Sequence, residues 1–148
     1  MKMRSNRRGF TIVELLVAVS ILTVLSTIAI ASYGSATKRS RDSKRRADIE
    51  QLRSALEMYR ADFGFYPSTG GGVWTPASNL ALPSYIAAIP TDPNAEAFYE
   101  YKATNVTSSQ FYGYCLSALL EVVGDPLDNT CTPDVSLDPP HNFGVRHP

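Results

Sequence analysis

Arg7-Arg8-Gly9-Phe10-Thr11-Ile12-Val13-Glu14-Leu15-Leu16 opens an apolar run that continues to Tyr33 with Glu14 as its single charged residue. Four basic residues, Lys2, Arg4, Arg7 and Arg8, stand before the glycine. Leu15 to Tyr33 makes about 28 Å of helix at ~1.5 Å per residue, close to the roughly 30 Å of a bilayer core. An ordinary secretory signal has an apolar region of only ~7–15 residues, although Ala29-Ile30-Ala31 supplies a small-x-small site that would release a chain starting at Ser32. A plain membrane anchor is the other simple reading. A carboxylate in such a segment is costly, by up to ~3 kcal/mol at mid-membrane and less toward the interface, so Glu14 asks for a neutralising partner. The helix macrodipole alone also favours a carboxylate at a helix start.

This arrangement resembles the class III signal of type IV pilins and type II secretion pseudopilins. The resemblance implies cleavage by a membrane peptidase between Gly9 and Phe10, N-methylation of Phe10, and a role for Glu14 in guiding the subunit into a helical filament. The new Phe10 amine, of its own chain or of a staggered neighbour, would then neutralise Glu14, and pairing between neighbours would set an axial register. It also implies the partners: the prepilin peptidase/methylase, an assembly platform in the membrane, membrane lipid before assembly, and other copies of the chain and related pilins. Localisation follows as a single pass of the cytoplasmic membrane, then an extracellular or periplasmic filament. Removing residues 1–9 takes four of the 14 Lys and Arg residues and none of the 14 Asp and Glu residues, which leaves the trimmed chain mildly acidic.

Beyond the apolar run, Ile49, Leu52, Leu56, Tyr59 and Phe63 follow at alternating helical spacings, one stripe that would face a partner. Asp48, Glu50, Gln51, Arg53, Glu57, Arg60 and Asp62 read as the solvated opposite face. No proline falls between Met1 and Phe65, so a single helix from about Thr11 to Phe63, stopped by Gly64, is expected. Pilins often carry a proline in the apolar segment. Here Ser32, Gly34 and Ser35 form the only weak spot. Lys38, Arg39, Arg41, Lys44, Arg45 and Arg46 follow the span, so the positive-inside rule does not itself set the orientation. They read as a solvated collar at lipid headgroups or as partners for acidic groups on neighbours. Nucleic acid is disfavoured as a partner, because the trimmed chain is acidic and Tyr33 alone lies near as a stacking aromatic.

The expected fold is α+β, the pilin fold, with the long helix packed on a small antiparallel sheet. Its divisions are a leader (1–9), an assembly helix (10–33), its amphipathic continuation (34–64) and a head (65–148). Ser68 to Asn79 reads as an exposed loop containing Trp74. Tyr85-Ile86-Ala87-Ala88-Ile89-Pro90-Thr91-Asp92-Pro93 resembles the short helix and proline turn of major pseudopilins. Candidate strands are Phe98–Lys102 and Phe111–Leu120, joined by Lys102–Gln110, with a last short strand over Asn142–Arg146. Asn105-Val106-Thr107 is a glycosylation sequon, of little weight in a chain whose signal looks prokaryotic. Cys115 and Cys131 are expected to form a disulfide outside the cytoplasm. Asp125, Asp128, Asn129, Asp134 and Asp138 could supply oxygen ligands for Ca²⁺, and major pseudopilins carry calcium in this region. The spacing matches no calcium loop, and a solvated acidic loop is the alternative. His141 and His147 read as surface residues.

No nucleophile elbow, phosphate-binding glycine loop or zinc spacing occurs, so the chain reads as structural rather than enzymatic. Two functions are compatible with it: a subunit of a type IV pilus or type II secretion pseudopilus, or a membrane-anchored minor pilin acting as an adhesin or DNA-uptake module. The Tyr85–Pro93 similarity leans toward the secretion type and the disulfide-closed loop toward pilins.

Overall fold

A computed structural model describes residues 9–68, 72–122, 131 and 141–147. In chain order these form helix α1 (Ile12–Phe63), strand β1 (Thr75–Pro76), a 3-10 turn (Ala77–Asn79), and strands β2 (Glu100–Thr107), β3 (Gln110–Ala118) and β4 (Phe143–His147). The chain divides into two compact units, the first ending at Thr37 and the second starting at Lys38.

In the first unit every residue from Gly9 to Ala36 is exposed. Four hydroxyls in this segment bond back to their own helix: Ser20 to the Val17 carbonyl (2.7 Å), Thr23 to Ser20 (2.8 Å), Thr27 to Val24 (2.7 Å), and Ser35 to Ser32 (3.0 Å). Such internal satisfaction lets polar residues sit in an apolar medium without unpaired donors.

In the second unit the remainder of α1 packs on a four-stranded antiparallel sheet of order β1-β2-β3-β4. Ile49, Leu52, Ala55 and Leu56 share one core with Tyr66, Tyr99, Tyr101, Tyr114, Leu116 and Ala118. Tyr101 and Leu116 are register partners, as are Leu116 and Val145, which puts their side chains on one face of the sheet. Full burial of a leucine stabilises by about 1.5–3 kcal/mol. The expected stripe holds from Ile49 to Leu56, then lifts off: Tyr59 is partly buried and Phe63 is 53% exposed. Gly64 ends the helix at φ 79°, its N–H donating to the Arg60 carbonyl at 2.7 Å.

Four expectations change. Asp48 is not on a solvated face: it is buried, and the Tyr99 hydroxyl donates to it at 2.6 Å. Lys102–Gln110 is mostly strand. β2 runs to Thr107 and turns back through Ser108 and Ser109, whose φ values of 51° and 66° match the twist of a two-residue hairpin. The Tyr85 region forms one turn closed by Ile86 N–H on the Leu82 carbonyl (3.1 Å), not a helix. The Ser68–Asn79 loop contains β1, held to Tyr101 and Glu100, and its Ala77 is 1% exposed.

Candidate functional site

Helix α1 begins in a capping box built from Thr11 and Glu14. The Thr11 backbone N–H and hydroxyl both donate to Glu14 Oε2 at 2.9 Å, and the Glu14 N–H donates to Thr11 Oγ1 at 3.2 Å. The reciprocal bonds satisfy N–H groups that a helix start leaves open. Thr-x-x-Glu is legible in the sequence as Thr11-Ile12-Val13-Glu14, yet the apolar context draws attention to the charge and away from its local partner. Gly9 and Phe10 lie before the helix, and Phe10 is 89% exposed. A Cβ at Gly9 would meet nothing within 4 Å. This chain itself therefore places no steric demand for glycine at position 9.

Beyond Glu14 the rest of the first unit is largely apolar and carries no charged side chain. An 18-residue window has mean hydropathy 2.4 and is 0% buried, so this is a helix long and apolar enough to cross a membrane. Leu15, Leu16, Ile21, Leu22, Leu25 and Ile28 are each more than half exposed.

In the second unit the polar groups are concentrated at three nodes. Arg45 is 1% exposed and bonds Asp92 through Nε (2.7 Å) and Nη2 (2.9 Å), with Nη1 on Asp42 (2.8 Å) and Glu121 (3.0 Å). Asp42 also accepts the backbone N–H groups of Glu121 and Val122, both at 2.9 Å. Arg41 adds a two-pronged contact to Glu121 at 2.6 Å. The hydrogen bonds that Arg45 donates to Asp92 hold its guanidinium above its ordinary range, against the opposing effect of burial. Those from Arg41 hold the Glu121 carboxyl down at about 2. The basic run is therefore only partly a solvated collar. Asp42 and Arg45 continue the spacing of Ile49, Leu52 and Leu56, which is the signal that composition masks.

The second node gathers Tyr66, Tyr114, His147 and Glu57. The Tyr66 hydroxyl donates to Glu57 (3.0 Å), accepts from Arg60 (3.1 Å) and lies 3.1 Å from His147 Nδ1, while Tyr114 donates to Glu57 at 3.2 Å. Burial, then the Glu57 charge, pushes the Tyr114 hydroxyl well above its usual range.

At the third node His141 Nδ1 lies 2.9 Å from Ser117 Oγ and 3.6 Å from Glu100 Oε2. Serine and carboxylate converge on one ring nitrogen, whereas a hydrolytic triad places them on opposite nitrogens. All three residues are buried, Ser117 at 0% exposure. Neither histidine is the simple surface residue expected: His141 is buried and His147 is engaged in the second node.

Cys115 and Cys131 form the expected disulfide, with Cα atoms 5.8 Å apart. Gly144 on β4 makes room for it, since a Cβ there would lie 3.1 Å from Cys131 Cβ and 3.4 Å from the Leu116 carbonyl. Lys2, Arg4, Arg7 and Arg8, and the calcium candidates Asp125, Asp128 and Asp134, lie outside the described residues. Among the described residues no group of three His, Cys, Asp or Glu side chains is placed to hold a metal.

A helix that starts exposed and apolar, ends packed on an antiparallel sheet and carries a capping glutamate as its third residue defines a pilin-like subunit. Residues 4–30 match the prokaryotic N-terminal methylation motif, and residues 32–113 match the family described as type II secretion system protein G. The chain belongs to the type II secretion system protein G family, whose members are structural subunits and not enzymes. It is 31% identical to the type II secretion system core protein G of Pseudomonas aeruginosa over 78% of this chain and 86% of that one. Identity to the core protein G of Escherichia coli is 29%, covering 63% of this chain and 70% of that one. A type IV major pilin protein of Neisseria gonorrhoeae is 30% identical over 53% of this chain and 37% of its own length. No solved structure matches.

Proposed function

We propose that the chain is made as a precursor, cut between Gly9 and Phe10, N-methylated at Phe10, and polymerised into a type II secretion pseudopilus. The single observation that carries this reading is the exposure of every residue from Ile12 to Ala36 on an apolar helix. Such a surface needs lipid first and neighbouring helices afterwards. The membrane peptidase/methylase and a membrane assembly platform are its partners on this reading, and the cytoplasmic membrane and then the periplasm its locations.

Glu14 has a particular part in the proposal. In the uncut chain its carboxylate is engaged by Thr11. Cleavage places a cationic amine at Phe10, and the Phe10 amine of a staggered neighbour becomes the partner that makes burial of this carboxylate among helices tolerable. Glu14→Ala should leave trimming intact and abolish the ladder of subunit oligomers trapped by chemical cross-linking in the membrane fraction; an unchanged ladder from that strain would refute the role.

Mass spectrometry of the N-terminal peptide from the membrane fraction tests the whole reading. A peptide starting at Phe10 and heavier by one methyl group is expected. A start at Ser32, or an intact Met1, would remove the filament proposal. Calcium belongs to the proposal through Asp125, Asp128 and Asp134 alone. Stabilisation by millimolar calcium, reversed by a chelator, would support it, and an unchanged melting curve would dismiss it.

A further inference from the structure

Six cations follow the apolar segment, on the side where the positive-inside preference opposes them. Three are consumed by the fold. Arg41 bonds Glu121, Arg45 is enclosed by carboxylates, and Arg46 lies 5.7 Å from the centre of the Phe143 ring. Lys38, Arg39 and Lys44 remain exposed with no ion pair among the described residues. We propose that these three form a collar that binds the phosphates of anionic phospholipid in the leaflet facing away from the cytoplasm.

Two properties select lipid over a protein partner. At about 100° per residue, Lys38, Arg39 and Lys44 point near 0°, 100° and 240° around the helix axis. A docking protein takes one face of a helix, whereas a headgroup layer surrounds it. Lys38 and Arg39 also follow Tyr33 within about a turn and a half of helix in sequence, and Tyr33 is an exposed aromatic of the type that sits at a membrane interface. Long basic side chains after an interfacial aromatic reach phosphate depth by extending along the helix. The collar would hold the subunit at a defined depth until it is drawn into a filament. This inference rests on the membrane-anchored reading above.

The test uses the intact chain in vesicles of equal phosphatidylglycerol and phosphatidylcholine, with retained lipids counted by native mass spectrometry after extraction. Preference for phosphatidylglycerol is expected, weakening in high salt and falling in the Lys38→Gln/Arg39→Gln/Lys44→Gln variant. Each cation should carry roughly a fivefold preference. A Lys38→Arg/Lys44→Arg variant should retain it, because charge is what the phosphates read. Equal retention of both lipids by the unaltered chain, or unchanged preference in the triple variant, would overturn the inference. So would displacement of lipid by millimolar inorganic phosphate, which would mark a site for a soluble anion. Disulfide formation in each variant, scored by thiol labelling, checks that the head has folded. A chain recovered in the soluble fraction would overturn the anchoring reading and this one together, while an inserted chain without lipid preference overturns this one alone.

Discussion

Arg45 is the centre of the carboxylate cluster formed by Asp42, Asp92 and Glu121. Its guanidinium meets Asp92, Asp42 and Glu121 with almost no exposure, so Arg45→Gln leaves carboxylates buried without compensation and should destabilise by about 3–5 kcal/mol. Arg41→Gln, at a partly exposed pair, should change stability by less than about 1 kcal/mol. Denaturant titration of the detergent-solubilised chain distinguishes the two; equal effects would show that burial at Arg45 is not decisive. Glu121 gives the pH counterpart. Its carboxyl titrates at about 2 in the fold against an ordinary 4.5. Between these values the unfolded chain binds the proton and the folded one does not. The stability this pair supplies is therefore fully present above pH 4.5 and lost as pH falls toward 2. Glu121→Gln should flatten the pH dependence of the unfolding midpoint in that window, and an unaltered slope would assign acid sensitivity to other groups.

At the scale of the element, α1 was almost wholly legible in sequence and the sheet only in part. An unbroken proline-free run, a regular stripe and Gly64 marked the helix, and the structure gives Ile12–Phe63. Asp42, Arg45 and Asp48 were hidden because charge signals solvent, and only their partners on distant segments make burial tolerable. The end of β2 was hidden because Asn105, Ser108 and Ser109 read as loop chemistry, whereas the turn needs only two residues with positive φ. The capping box shows the reverse case, a local motif in plain view whose charge invited a distant partner. For β3 and β4, the disulfide with a sequence separation of 16 should stabilise by about 3 kcal/mol through loop closure. Cys131→Ser should lower the denaturation midpoint accordingly, and reducing agent should then have no further effect. Gly144→Ala should also destabilise, because Cys131 Cβ at 3.1 Å must move. An unchanged melting temperature in that variant would show that the strand shifts without penalty.

On the scale of the whole molecule, the division at Thr37 separates a segment exposed from Gly9 to Ala36 from one with its own core. A chain starting at Lys38 should therefore be soluble and monomeric by light scattering, while the full chain requires detergent; insolubility of the shortened chain would mean that its core depends on the missing helix. Within the second unit, Arg45 joins α1, the turn at Asp92 and the chain after β3 at one point. These meet from three separate stretches of sequence, so α1 cannot be twisted away from the sheet without stripping a buried cation of its counterions. Drawing α1 away from Asp92 and Glu121 therefore means breaking several charge-assisted hydrogen bonds at a single residue together.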